Sequence, residues 1–362
     1  MAHAFPAETP RSRSMEHKRP IISSSQITYS FALLLAFSLL CFISHSLLLE
    51  QCRSPHHSPI HQPLPDRILF HKAVRSSSSS REENRRQKLA FLFLTNSDIT
   101  FSPLWDLFFQ SANPNLFNVY VHADPTTPVE IPNSIVFKTR FIPGNKTCRG
   151  SPSLISAERR LIARAILDDP LNKYFALISQ HCIPLHSFKF VHNFLFPHKP
   201  TRSPKSFIEI ISKDPNLPGR YNARGENTML PEVPFEKFRV GSQFFLLEKR
   251  HALVVLSDMK LWKKFKLPCL NLESCYPEEH YFPTLLSMED PSGCSGFTLT
   301  NVNWTGSVDG HPHLYQADEI SGELIHRLRR SNSTYPFLFA RKFAPGCLQP
   351  LMQIANDLIF RD

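Results

Sequence analysis

Short stretches of this chain hold residue types that can do chemistry. In CYPEEHYFPTLL, Glu278 and Glu279 are adjacent acids ahead of an apolar run. A carboxylate there can take a proton from a hydroxyl, or it can balance the positive end of a helix. In FLFARKF, Arg341 and Lys342 are adjacent cations. They can face a diphosphate as charge develops on it, or form an ordinary solvated pair. His122 and Asp124 end the stretch VYVHADP, where Asp124 can bind a ligand hydroxyl or open an Asp-Pro turn. Trp304, in NVNWTGS, offers a face suited to the apolar side of a sugar ring, or a core side chain. Arg220 and Arg239 could each meet an anionic group.

Other chemistries are disfavoured. The eight cysteines are scattered singly with no CxxC pair, so no structural zinc site is expected. Neither GxGxxG nor GxxxxGK[ST] occurs, and there are only 11 glycines. A glycoside hydrolase needs two carboxylates flanking one bond, which the adjacent pair Glu278-Glu279 cannot easily do. The net charge is +10. Arg11, Arg13, Lys18 and Arg19 carry part of it ahead of an apolar run, and Arg81, Arg85, Arg86 and Lys88 carry more in a polar stretch. The rest is mixed in sign, with no basic block interleaved with aromatics, so nucleic acid is not an expected partner.

The elements that must position these residues lie in the C-terminal three quarters of the chain. Residues 1–26 read as a cytosolic tail. Ile27 to Leu49 contains no Asp, Glu, Lys or Arg. About 20 such residues cross a ~30 Å hydrocarbon layer, and helix hydroxyls can bond back to backbone carbonyls. The expectation is a single transmembrane signal anchor, with the preceding cations keeping the N-terminus in the cytosol. Residues 50–87, rich in proline, serine and histidine, read as a flexible stalk. Residues 88–362 are then a lumenal domain. Its sequons place candidate glycosylation at Asn145, Asn303 and Asn332. With Cys41 in the anchor, seven cysteines remain, so at least one stays unpaired if the others pair; Cys269 and Cys275 are a plausible pair, and Cys182 a buried thiol.

Within that domain, Lys88–Leu94, Phe117–His122 and Tyr174–Ser179 predict buried strands, and Val136–Phe141 a further one. Leu104–Ser111, Pro152–Leu167 and Phe188–Phe196 predict helices. The alternation implies an α/β fold with a mostly parallel sheet flanked by helices. Ligands then bind beyond the carboxyl ends of the strands, in the loops after Leu94, His122 and Ser179. Farther on, Gly241–Leu247 predicts a strand, and Lys249–Ser257, Glu278–Leu286 and Glu319–Arg330 predict helices.

The ordered set VYVHADP, RGSPSLISAERRLIARAI, YFALISQHCIPL, FRVGSQFFLLEKRHA, CYPEEHYFPTLL, NVNWTGS and FLFARKF resembles the plant branch of the core-2/I-branching β-1,6-N-acetylglucosaminyltransferases, over about Lys88 to Asp362. The resemblance implies a GT-A-like, Golgi-resident, inverting transferase that moves a sugar from a nucleotide donor, of the UDP-sugar class, to a hydroxyl of a glycan or proteoglycan. It implies Glu279 as the base and Lys342, with Arg341 beside it, as the diphosphate-binding cations. His122 and Asp124 would lie by the nucleotide. Trp304, Gly241, Ser242 and Gln243 would lie on the acceptor side. The family's characterised animal members need no metal. Here His122-Ala123-Asp124 stands where a metal-dependent relative carries Asp-X-Asp, so neither metal nor other cofactor is expected. Gln180-His181 departs from the acid many relatives carry near that position. The alternative is a catalytically inactive carbohydrate-binding or scaffold protein of the same fold.

Overall fold

Leu89 to Phe93 is wholly buried, as expected of a strand covered on both faces. It lies at the centre of the computed structural model of the chain, which describes residues 33–35, 37–39, 65–77, 86–198, 203–307 and 310–362. The strands are β1 (Lys88–Thr95), β2 (Phe117–Ala123), β3 (Asn172–Ser179), β4 (Ile183–Pro184), β5 (Ser206–Glu209), β6 (Leu246–Glu248), β7 (Cys294–Gly296), β8 (Thr300–Val302) and β9 (Phe339–Arg341). The helices are α1 (Asp66–Ser77), α2 (Ser102–Gln110), α3 (Pro152–Asp168), α4 (Phe188–Leu195), α5 (Leu217–Tyr221), α6 (Lys249–Ser257), α7 (Lys260–Phe265), α8 (Tyr281–Glu289), α9 (Gly322–Arg329) and α10 (Leu348–Ile354).

Six strands form one sheet in the order β2-β1-β3-β6-β5-β7. β1 pairs in parallel with β2 and β3, β6 runs antiparallel to β3 and β5, and β7 is parallel to β5. Only β6 therefore opposes the common direction, and the expected mostly parallel α/β sheet is present. Phe91 and Phe93, two residues apart, share one face of β1. Both meet Trp105 of α2 edge-on, and Phe91 also meets Phe108 and Phe109. α3 packs against β1, β2 and β3. Its N-terminus is capped by Ser151, whose Oγ accepts from Ser153 N at 3.3 Å.

A second sheet, β4-β9-β8, places the basic pair. β4 follows β3 almost directly and pairs antiparallel with β9, while β8 pairs in parallel with β9. The C-terminal strand is thereby held at the carboxyl end of β3. Phe343 N donates to His181 O at 3.2 Å, just past the Arg341-Lys342 pair.

Some expectations need correction. Residues 66–77 of the proposed stalk form α1, with Leu69, Phe70 and Ala73 buried. α1 packs on α3 and α6. Asp66 Oδ1 accepts from Arg160 Nη2 at 2.6 Å, and the Arg159 guanidinium lies 4.7 Å from the Phe70 ring. The apolar spacing Leu69–Phe70–Ala73 outweighs the polar composition around it. The remainder of the stalk lies almost wholly outside the described residues.

Val136–Phe141 is a turn with one isolated bridge, Val121–Phe141, and not a strand. Of Gly241–Leu247 only the end is strand, because Gly241 N donates to Glu279 O (2.9 Å) and not to a sheet neighbour. Glu278 and Glu279 occupy a 3-10 turn, Pro277–Glu279, ahead of α8, and Glu319 a 3-10 turn ahead of α9.

The structure divides at residue 57, into Met1–His57 and Ser58–Asp362. The expected anchor falls in the first unit and mostly outside the described residues. Within it, 33–35 and 37–39 are helical, and Ser38 Oγ donates to Leu34 O at 2.7 Å. Among the described residues no helix is long and apolar enough to cross a membrane. The Cys269–Cys275 disulfide is present, and Cys182, Cys294 and Cys347 are buried free thiols.

Candidate active site

The carboxyl ends of β1 and β3 open into a cavity of about 380 Å³. Thr95 and Asn96 line it from β1, and Ser179, Gln180 and His181 from β3. An adjoining cavity of about 350 Å³ is lined by Glu209, Asp214, Arg220, Gly241 and Ser242. Gln243, Phe244, Tyr276, Glu279, Trp304 and Arg341 line both, so the two form one continuous cleft.

The acids and cations picked out from sequence meet there. The turn Tyr276–Glu279 projects Glu278 and Glu279 into the cleft wall. It is entered through Tyr276, whose φ of 34° is left-handed. Glu279 Oε2 accepts from Arg220 Nη1 at 2.6 Å, while Oε1 bonds none of the described residues. Lys342 lines only the first cavity. Burial, then the charges of Arg341 and Arg149, lower its pKa. Arg341 is also lowered by burial, and its guanidinium lies 4.3 Å from the Phe244 ring. Neither cation forms an ion pair with a described acid. Three cations repelling one another in one wall leave charge that an anionic ligand can neutralise.

Arg149 is a site residue that sequence reading missed. Its Nη2 donates to Gly310 O at 2.8 Å and its Nη1 to His311 Nε2 at 2.9 Å. These bonds tie the loop before α3 to the loop carrying Trp304. Trp304 is 51% exposed, which favours the ligand-facing reading over a core one. Gly241 passes so close to β5 that a Cβ would sit 2.0 Å from Glu209 O, so only glycine fits. Ser242 N then donates to Glu209 Oε2 at 2.9 Å. Arg220, which sequence could not place, contacts Glu279. Arg239 spends its Nη1 on the carbonyls of Glu236 and Phe238.

His122 and Asp124 line neither cavity. Both hold the 145–147 segment that brings Thr147 to the cavity wall. His122 is fully buried, and its Nε2 accepts from Asn145 N at 3.1 Å. Burial, then nearby Arg160, lowers its pKa to about 4. Asp124 Oδ2 accepts from Thr147 N (2.7 Å) and Oγ1 (3.0 Å), and Oδ1 from Thr126. Burial acts to raise Asp124, but these hydrogen bonds outweigh it and the net shift is downward. Thr147 itself lines the cavity. His181 is lowered to about 4 by burial, then by Lys342, and its Nδ1 donates to Phe343 O at 3.2 Å. Gln180 Nε2 donates to Asn96 Oδ1 at 2.8 Å.

Of the sequon asparagines, Asn145 and Asn332 are exposed and Asn303 is half-buried beside Trp304. A Ser206–His251–Asp290 relay, with contacts of 2.7 and 3.1 Å, lies elsewhere. Ser206 is fully buried, so it is no accessible nucleophile.

Residues 89–329 match the family model described as Branch: Core-2/I-Branching enzyme. The chain belongs to the Core-2/I-branching enzyme family. It is also 27% identical to "Glycosyltransferase BC10" of Oryza sativa subsp. japonica over 317 aligned residues, covering 74% of this chain and 76% of the relative. Membership makes this chain a glycosyltransferase by family, with a nucleotide sugar and a glycan as the implied reactants. The family match ends at residue 329, so the cleft cations Arg341 and Lys342 lie beyond it.

Proposed function

We propose that the chain transfers a sugar from a nucleoside diphosphate donor, of the UDP-sugar class, to a glycan or proteoglycan hydroxyl. The anomeric carbon inverts, and side-chain cations take the place of a divalent ion. The supporting observation is that Glu279 and the Arg341-Lys342 pair share one cleft. In this reading the diphosphate lies against Lys342, Arg341 and Arg149. Glu279, at the junction of the cavities, takes the proton of the incoming hydroxyl on Oε1 as its oxygen bonds the anomeric carbon. The bond to the diphosphate breaks, and the released charge meets the cations. Trp304, Gly241, Ser242 and Gln243 shape the acceptor side. The resemblance to β-1,6-N-acetylglucosaminyltransferases supports a hexosyl or N-acetylglucosaminyl donor as the class of sugar. The basic tail and apolar run support a type II anchor with the domain in the lumen, and the family resemblance supports the Golgi as its membrane.

A non-catalytic carbohydrate-binding role is favoured by one observation, the Arg220 guanidinium on the Glu279 carboxylate. The two readings separate on the full chain assayed with chelator present. The transferase reading expects a saturable rise in Tm with UDP and turnover of a UDP-sugar. Glu279→Gln should keep the UDP response and lose about 10²- to 10⁴-fold in turnover. Unchanged turnover in this variant would remove Glu279 as the base. A wild-type chain with no UDP response would favour the binding protein.

A further inference from the structure

Glu158 is an acid where an aliphatic residue would pack more cheaply. It sits on α3 among Ile155, Leu161 and Ile162, and it is 0% exposed. Its Oε1 accepts from Gln243 Nε2 at 2.6 Å, and its Oε2 has no partner. Gln243 is a wall residue of both cavities. Its own Oε1 bonds no described residue and is not buried. We propose that Glu158 is a positioning residue that pins the Gln243 amide by its nitrogen, so that the amide oxygen faces the cleft junction and accepts from a hydroxyl or amide N–H of the bound sugar.

The polarity follows from donor chemistry. An amide presents either N–H or C=O to a neighbour, and a carboxyl oxygen selects the N–H. Burial, with the nearby Glu278 charge, pushes Glu158 well above the ordinary carboxylate range. With the Gln243 N–H on Oε1, any proton the acid carries is left to Oε2. The cleft therefore offers an acceptor, and not a donor, at the point where the two cavities meet. A sugar lacking a donor there would leave that oxygen unpaired, which is how a polar site rejects a wrong ligand.

This inference rests on the transferase reading, and reciprocal substitution tests it on the full chain. The probes are UDP for binding and a panel of UDP-sugars for turnover. Glu158→Met should melt no lower than wild type, keep its UDP affinity and lose about tenfold in kcat/KM, since an unpinned amide loses one hydrogen bond to substrate. Gln243→Glu should lose a similar factor, because it sets two acids face to face. The double variant Glu158→Gln with Gln243→Glu restores an N–H···O bond in the opposite sense. An oxygen again faces the cleft, so activity should recover most of the loss. A merely structural clamp would not give this kinetic recovery at constant UDP affinity. Unchanged kcat/KM in Glu158→Met, or a double variant no better than Gln243→Glu, overturns the proposal while the transferase reading stands. A wild-type chain that neither binds UDP nor turns over any of the panel overturns both.

Discussion

Replacing Glu278 by glutamine should make the protein progressively more stable than wild type as pH rises. Glu278 is 3% exposed; Gly150 N donates to its Oε1 at 3.0 Å, and Oε2 has no partner. Burial is the main cause that pushes its pKa from 4.5 to about 7, and the Glu279 charge adds to it. Backbone hydrogen bonds and Arg149 pull the other way. Between those two values the folded protein holds a proton that the unfolded chain has released. Wild-type stability attributable to this group is therefore full below the unfolded value and lost as pH rises through about 7. At about 1.4 kcal/mol per pH unit, the gap makes the ionised form cost about 3 kcal/mol at about pH 8, and under about 1 kcal/mol at about pH 5. Glutamine cannot ionise, and its Oε1 can still accept from Gly150. Loss of the Glu278 charge also relaxes one of the causes that raise Glu158, which acts in the same direction. Denaturant unfolding of the full chain and of Glu278→Gln at the two pH values measures the difference. A stability gap that does not change with pH would show that the fold does not hold Glu278 neutral.

Two further perturbations bear on the site and on its frame. Lys342→Met should weaken UDP binding about 10- to 100-fold, the size of a lost charge-assisted hydrogen bond, read by calorimetric titration with chelator present; unaltered affinity would take Lys342 off the diphosphate. Leu69→Ala, at a position 1% exposed, should cost about 2–4 kcal/mol in denaturant unfolding, and a loss below about 0.5 kcal/mol would mean that α1 is not part of the folded core.

The parallel strands were legible because period and burial act locally. KLAFLFLT and NKYFALIS are continuous apolar runs bounded by polar residues, and they are the central strands β1 and β3. Lys249–Ser257 is helical over the range its pattern predicts. Reading failed where long-range partners decide the backbone. Gly241 spends its N–H on Glu279 O, which ends the strand expected there. Leu69, Phe70 and Ala73 are too few apolar residues to mark a helix in polar surroundings, until α3 and α6 give them a surface to cover.

The amino-acid sequence by itself determined the class of fold, the family-like motif order, and the acids and cations available for chemistry, because each of these depends on residues near one another in the chain. Only the tertiary structure decided which of them meet. Pairing of β9 with β4 carries Arg341 and Lys342 to the end of β3, more than 150 residues away in sequence. Folding also separates two adjacent glutamates by environment: Glu278 loses its solvent and titrates near 7, while Glu279 stays in the cleft against Arg220. It sets His122 and Asp124 against the 145–147 segment, through Asn145 N and Thr147. Burial and partner choice are properties of the packed whole, so no local pattern encodes them.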